Sequence, residues 1–139
     1  MGKRKGRREI VVVDGANVAY EEKGEDGKPR VSNIVAVRRA LEEDGLEPIV
    51  VIDASLKYEV DDPARLEEMI ESQDVRQVPA GTDADFFIIE IAEQHGARVV
   101  TNDRYRDYQK RHPSIAERRL PYMIVKGEVH LYENRPEEQ

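Results

Sequence analysis

Glu9-Ile10-Val11-Val12-Val13-Asp14-Gly15-Ala16-Asn17 is the stretch on which the reading of the chain turns. Residues 9–13 are a short apolar, β-branched run that stops at an acid and a glycine, the pattern of a buried strand ending at a polar loop. Such runs suit a parallel sheet. The pattern recurs at 48–52 (PIVVI), which ends at Asp53, and at 97–100 (ARVV), which ends at Thr101-Asn102-Asp103. A shorter version lies at 75–78.

Helical segments separate these runs. Val31, Ile34, Val35 and Leu41 fall roughly on one face of a helix over 31–43, Pro63 suits the first position of a helix over 63–71, and a third spans 83–95. The order is β-α-β-α-β-α-β, which indicates right-handed βαβ units and a mainly parallel sheet with helices on both faces. Residues 123–125, Lys126-Gly127 and 128–132 read as a C-terminal hairpin that adds an antiparallel edge. Residues 20–30 (YEEKGEDGKPR) lack periodicity and read as a mobile surface loop, with a lid as the alternative. The expected organisation is a basic tail over 1–8, one domain over 9–135, and a short tail over 136–139, with both tails frayed.

The chain has 139 residues, no Cys and only three His, so a disulfide framework, a thiol nucleophile and a Cys-ligated zinc are excluded. His95, His112 and His130 are poorly spaced for metal ligation. Any metal is expected to sit among oxygen ligands, which suits Mg²⁺ or Mn²⁺. No apolar run approaches the ~18 residues of a membrane span. No signal-peptide pattern comes after the basic start, so a cytoplasmic protein without a membrane partner is expected. The net charge of −7 argues at first against a polyanionic partner. The charge is unevenly spread, however: residues 1–8 and 98–119 together carry +9, which leaves −16 for the remainder.

In an open parallel sheet, ligands bind beyond the carboxyl ends of the strands. Here acids gather at those positions: Asp14 after the first strand, Asp53 after the second, Asp83 and Asp85 at the head of the third helix, and Asp103 and Asp107 after the last parallel strand. Converging carboxylates repel one another unless a cation neutralises them, so a divalent metal is the economical explanation. Each acid also has a structural reading as a turn or cap residue. If Thr82 is the N-cap, Asp85 at N3 reaches back to the cap while Asp83 at N1 faces about 200° away. Asp103 and Asp107, four apart, share a face if a helix starts there. Asn17 either caps the segment after Asp14 or orients a water or phosphate.

The segment VVDGANVA (12–19) resembles the opening motif of the NYN-type PIN-like ribonucleases, Regnase branch. VVTNDRYRDY (99–108) resembles that branch's signature around its last catalytic acid, and residues 117–125 are similar to the segment on the carboxyl side of that signature. The resemblance implies a PIN-like three-layer α/β/α fold and metal-dependent endoribonuclease activity on single-stranded or stem-loop RNA, leaving 5′-phosphate and 3′-hydroxyl ends. It implies a catalytic set of Asp14, Asn17, Asp83, Asp103 and Asp107. The metal set is Asp14, Asp83, Asp103 and Asp107; the branch has two adjacent aspartates where this chain reads Asp83-Ala84-Asp85, so its further acid is either shifted to Asp85 or missing. Arg104, Arg106, Lys110 and Arg111 are candidates for flanking phosphates, or else they solvate a surface helix; Tyr105 or Tyr108 is a candidate for stacking on a base. A Cys-ligated zinc finger like that of the animal members is not expected from a sequence without cysteine. A homodimer is left open.

Two other classes compete. A phospho-receiver domain also gathers acids around Mg²⁺, but needs an acidic pair after strand one and a lysine after the last strand, where this chain has a single acid and Lys126 in a turn. The other is a non-catalytic RNA-binding module with the same fold and an incomplete metal site.

Overall fold

A computed structural model describes residues 8–132 of the chain. The basic residues before Arg8, the 136–139 tail and the expected domain end at 135 lie outside that range. Val11, Val12 and Val13 are each 0% exposed, so β1 (Glu9–Asp14) is buried on both faces, as its unalternating composition requires. It is the central strand of a five-stranded, all-parallel sheet of order β3-β2-β1-β4-β5, formed with β2 (Leu46–Ile52), β3 (Val75–Gln77), β4 (Arg98–Val100) and β5 (Arg119–Leu120). Pro48 is tolerated in β2 because it pairs only with Val11 of β1; β3 joins β2 further on, at Val50.

Strand alternation sorts the side chains into two cores. Val11, Val13, Val50, Ile52 and Val100 pack beneath α1 (Gly15–Glu21), α2 (Val31–Glu43) and α3 (Pro63–Glu71). Val12, Ile49, Val51 and Val99 pack beneath α4 (Ala84–His95) and Ile115 of α5 (Ile115–Arg118). This is the expected three-layer α/β/α arrangement. Capping obeys the local sequence: Asp62 accepts from the Arg65 N–H ahead of Pro63, and Gly96 closes α4 in the left-handed conformation.

Two expectations are corrected. The segment after β1 opens with a helix, α1, which takes Tyr20 and Glu21 out of the expected 20–30 loop. Seven residues beginning with glycine carry little helical signal, and α1 holds through its partners: Asp14 caps its start, and the buried Asn33 Nδ2 donates to the Val18, Ala19 and Glu22 carbonyls at its end. The hairpin of β6 (Tyr122–Val125) and β7 (Glu128–Leu131) forms a separate two-stranded sheet rather than an antiparallel edge. After Pro121 the chain leaves the sheet and buries Tyr122 and Ile124 in the α1–α2 core. The edge on that side is β5, too short to read from sequence. Among the described residues no helix is long and apolar enough to cross a membrane.

Candidate active site

The strand order reverses between β1 and β4, which opens a crevice at their carboxyl ends. Asp14 sits there, 5% exposed. Its Oδ1 accepts the Asn17 N–H at 3.3 Å, and its Oδ2 accepts the hydroxyls of Thr101 at 3.1 Å and Tyr105 at 2.7 Å. Burial pushes the Asp14 carboxyl above its ordinary pKa and the Asp103 charge adds to this, while the three hydrogen bonds act in the opposite direction. Gly15 is fixed by crowding: a Cβ there would collide with Ile52 Cγ2 and stand 3.0 Å from the Val51 carbonyl oxygen.

The same end of β4 supplies the rest of this network. Thr101 Oγ1 also accepts the Asp103 N–H at 3.0 Å, and Asp103 Oδ1 accepts the Tyr105 N–H at 2.8 Å. Tyr105 is left-handed, φ 50°, and leads only into a single 3-10 turn, Arg106–Tyr108. Asp103 and Asp107 therefore do not share a helical face. The turn instead drives the Tyr105 ring inward to reach Asp14. At 2% exposure Tyr105 presents no face to a base, which corrects its expected stacking role. Burial, then the Asp14 charge, holds its hydroxyl far above the ordinary tyrosine range and so keeps it a donor.

Asn17 Oδ1 accepts both the Asn102 N–H at 3.1 Å and the Tyr122 hydroxyl at 2.7 Å. Two donors on one oxygen settle the orientation of the amide and leave its Nδ2 as the group available to a ligand. Asn102 is locked in turn by the Tyr122 backbone, its Oδ1 accepting the N–H at 3.1 Å and its Nδ2 donating to the carbonyl at 3.0 Å. Thr101, Asn102, Tyr105 and Tyr122 thus support the site in ways that sequence reasoning missed. The polar pair directly after β4 was the available signal for the first two; the aromatic partners become visible only once the chain is folded.

The opposite wall is built differently. Asp83, not Thr82, is the N-cap of α4; its Oδ1 accepts the Asp85 N–H at 3.0 Å and its Oδ2 accepts the Tyr108 hydroxyl. Asp85 thus stands at the second helical position rather than the third. Its carboxyl is pushed up to about 7, first by burial and then by the charges of Asp14, Asp103, Asp83 and Asp53. Asp53 accepts the Ser55 hydroxyl at 2.7 Å. Asp14, Asp53, Asp83 and Asp85 line one cavity of about 250 Å³. Asp85 also borders a second, of about 420 Å³, with Asp103, Arg104, Arg106 and Asp107. Lys110 and Arg111 are exposed beyond it, and Lys126 lies in the β6–β7 turn, outside both cavities.

These acids fit a hard divalent cation in donor chemistry: all are carboxylates, and after burial the charges of Asp14, Asp103, Asp83 and Asp53 raise the proton affinity of Asp85. They are not a closed shell, because among the described residues no three stand together as a ready metal-binding group.

Sheet order, layering and acid placement define a PIN-like α/β domain. Residues 7–139 match the family described as the Zc3h12a-like Ribonuclease NYN domain, and the chain belongs to that family. Among solved structures it is similar to nuclear protein-only RNase P 2 (PRORP2) of Arabidopsis thaliana. One such structure has a TM-score of 0.71 and 24% identity, covering 94% of this chain and 31% of that one. Another has a TM-score of 0.66 and 24% identity, covering 96% and 31%. The chain thus spans less than a third of that protein, and at this identity the likeness is one of fold. No curated protein sequence matches the chain.

Proposed function

We propose that this ribonuclease domain is a metal-dependent endonuclease that cuts single-stranded or loop RNA and leaves 5′-phosphate and 3′-hydroxyl ends. The observation that carries the proposal is the convergence of Asp14, Asp83, Asp85 and Asp103 on the crevice: the first three line one cavity, and Asp85 and Asp103 line the next. Those four, with Asp107 at the edge of the larger cavity, are the residues that would hold Mg²⁺ or Mn²⁺. When bound, the cation lowers the pKa of water and offsets charge on the phosphoryl oxygens.

The chain's own groups do the rest. The Asn17 Nδ2 donates to a phosphate oxygen or to the attacking water, held in place by Asn102 and Tyr122. Arg104 and Arg106 border the larger cavity and pair with flanking phosphates, with Lys110 and Arg111 beyond them. The hydrogen bonds on Asp14 fix its carboxylate without spending a neighbouring cationic side chain.

The test is to incubate the protein with end-labelled single-stranded and hairpin RNA in Mg²⁺, Mn²⁺ or EDTA and to map the cut ends. Internal cuts are expected with either metal and none in EDTA, and Asp14→Asn or Asp103→Asn should abolish them while the fold persists. Undiminished cutting by both purified variants rules the proposal out. One observation favours a second reading, a non-catalytic RNA-binding module: both oxygens of Asp14 and of Asp83 already accept hydrogen bonds. RNA binding without turnover in either metal would establish it.

A further inference from the structure

Tyr58 is 79% exposed, the most exposed of the large hydrophobic side chains among the described residues. The core does not require it, since Leu56, two residues earlier, provides the burial that anchors this 3-10 turn (Leu56–Tyr58). The turn comes after Asp53 at the carboxyl end of β2, on the same side of the sheet as the acid cluster. Tyr20, 40% exposed, approaches from α1, and its hydroxyl donates to Glu59 Oε1 at 2.6 Å, which ties the two segments together. Ala16, one turn earlier in α1, lines the smaller cavity together with Asp53, which places the Tyr20 helix beside the Asp53 side of the cluster. Each ring carries an ammonium: Lys23 Nζ lies 5.8 Å from the Tyr20 centroid and Lys57 Nζ 5.5 Å from that of Tyr58.

We propose that Tyr58 and Tyr20 form a stacking platform for unpaired bases of an RNA strand that leaves the acid cluster on the β2 side. The inference rests on the ribonuclease reading and adds to it a second binding surface, opposite the Arg104–Arg106 side. Aromatic faces accept any base and are worth most to a flexible single strand, whose bases are not stacked within a duplex. Glu59 accepts the Tyr20 hydroxyl and Glu67 lies 3.6 Å from Lys57 Nζ, so carboxylates offset the lysine charge at the platform. Its contribution therefore comes from stacking and changes little with salt, whereas binding by Arg104 and Arg106 weakens steeply as salt rises.

The experiment measures fluorescence anisotropy of a labelled single-stranded RNA on the full chain carrying Asp103→Asn to suppress turnover. Tyr58→Ala is expected to weaken binding about tenfold or more. Tyr58→Phe should bind like the parent, and so should Tyr132→Ala, an exposed tyrosine next to the hairpin. The Tyr58→Ala loss should persist between about 50 and 200 mM salt, while the loss from Arg104→Ala shrinks. An abasic nucleotide at one position should weaken binding to the parent and cost Tyr58→Ala nothing further. Binding by Tyr58→Ala within about twofold of the parent at every salt concentration overturns the platform and leaves the ribonuclease reading standing. A parent that binds and cuts no RNA overturns both. A Tyr58→Ala change in the sedimenting mass of the protein without a change in RNA affinity assigns the ring to an interface between copies, and also overturns the platform.

Discussion

The two walls of the crevice are held by opposite means. On the β1–β4 wall the protein itself holds the functional groups: Asp14 is buried and accepts three hydrogen bonds, and the Asn17 Oδ1 is gripped by Asn102 and Tyr122. On the α4 wall Asp83 is exposed and Asp85 half-buried; Asp83 has one helix N–H and one tyrosine hydroxyl for company, and burial followed by the neighbouring acids pushes Asp85 toward neutrality. One wall is organised before any ligand arrives. The other is electrostatically unfinished, and a cation would complete it. Substitutions should therefore cost stability on the first wall and little or none on the second.

The largest effect is on activity, where the walls should behave alike: Asp14→Asn and Asp83→Asn are each expected to reduce RNA cleavage at least about a hundredfold, as removal of a group stabilising transition-state charge does. Their stabilities should differ. Asp14→Asn replaces an acceptor-only group that receives two hydroxyls with an amide, at a cost of about 1–3 kcal/mol in urea denaturation. Asp83→Asn keeps a capping oxygen and should stay within about 0.5 kcal/mol. Equal destabilisation by both would erase the distinction between the walls.

Gly15→Ala tests the organised wall without touching a polar group. The added methyl would have to displace Ile52 or move α1 away from β2, which should cost about 1–3 kcal/mol. Wild-type stability in denaturant would show that α1 is not held against β2 as described.

How much of this was legible in the sequence divides along the same line. Strands β1, β2 and β4 could be read from their unbroken apolar runs, and the acids at their ends from simple position, because burial on both faces leaves a composition signature. The partnerships could not. Thr101, Tyr105 and Tyr122 reach Asp14 or Asn17 across 87, 91 and 105 residues of chain, and only the folded topology brings them together. The helical face expected for Asp103 and Asp107 failed at Tyr105, where the gain from burying the ring and bonding its hydroxyl to Asp14 outweighs an unfavourable left-handed backbone. Asp83 became the cap in place of Thr82, a one-residue shift at a helix end of the kind local sequence seldom resolves.

The unfinished wall has a pH signature of its own. Asp85 titrates near 7 in the folded protein against 3.8 for the free group, so between these values the folded state holds more protons than the unfolded state. Metal-free stability should then fall as pH rises from about 4 to about 7 and level off above that. In EDTA, urea midpoints compared at about pH 5 and pH 7.5 should show this decline. Asp85→Asn should reduce it, and parallel profiles for the two proteins would remove Asp85 as its source.

The smallest expected effect concerns Tyr108. Its hydroxyl donates to Asp83 Oδ2, so an ion entering this wall competes with the tyrosine for that oxygen. Tyr108→Phe removes the competitor and keeps the ring. A neutral-donor hydrogen bond contributes about 0.5–1.5 kcal/mol net, so the variant should bind Mn²⁺ about two- to tenfold more tightly in a calorimetric titration. The matching deletion on the other wall, Tyr105→Phe, should act in the opposite sense. It leaves a buried Asp14 oxygen short of a donor, pushes that carboxyl further up, and should weaken Mn²⁺ binding and stability together. If both variants shift Mn²⁺ affinity in the same direction, the two tyrosines serve the site in the same way and the contrast between the walls fails at its most direct comparison.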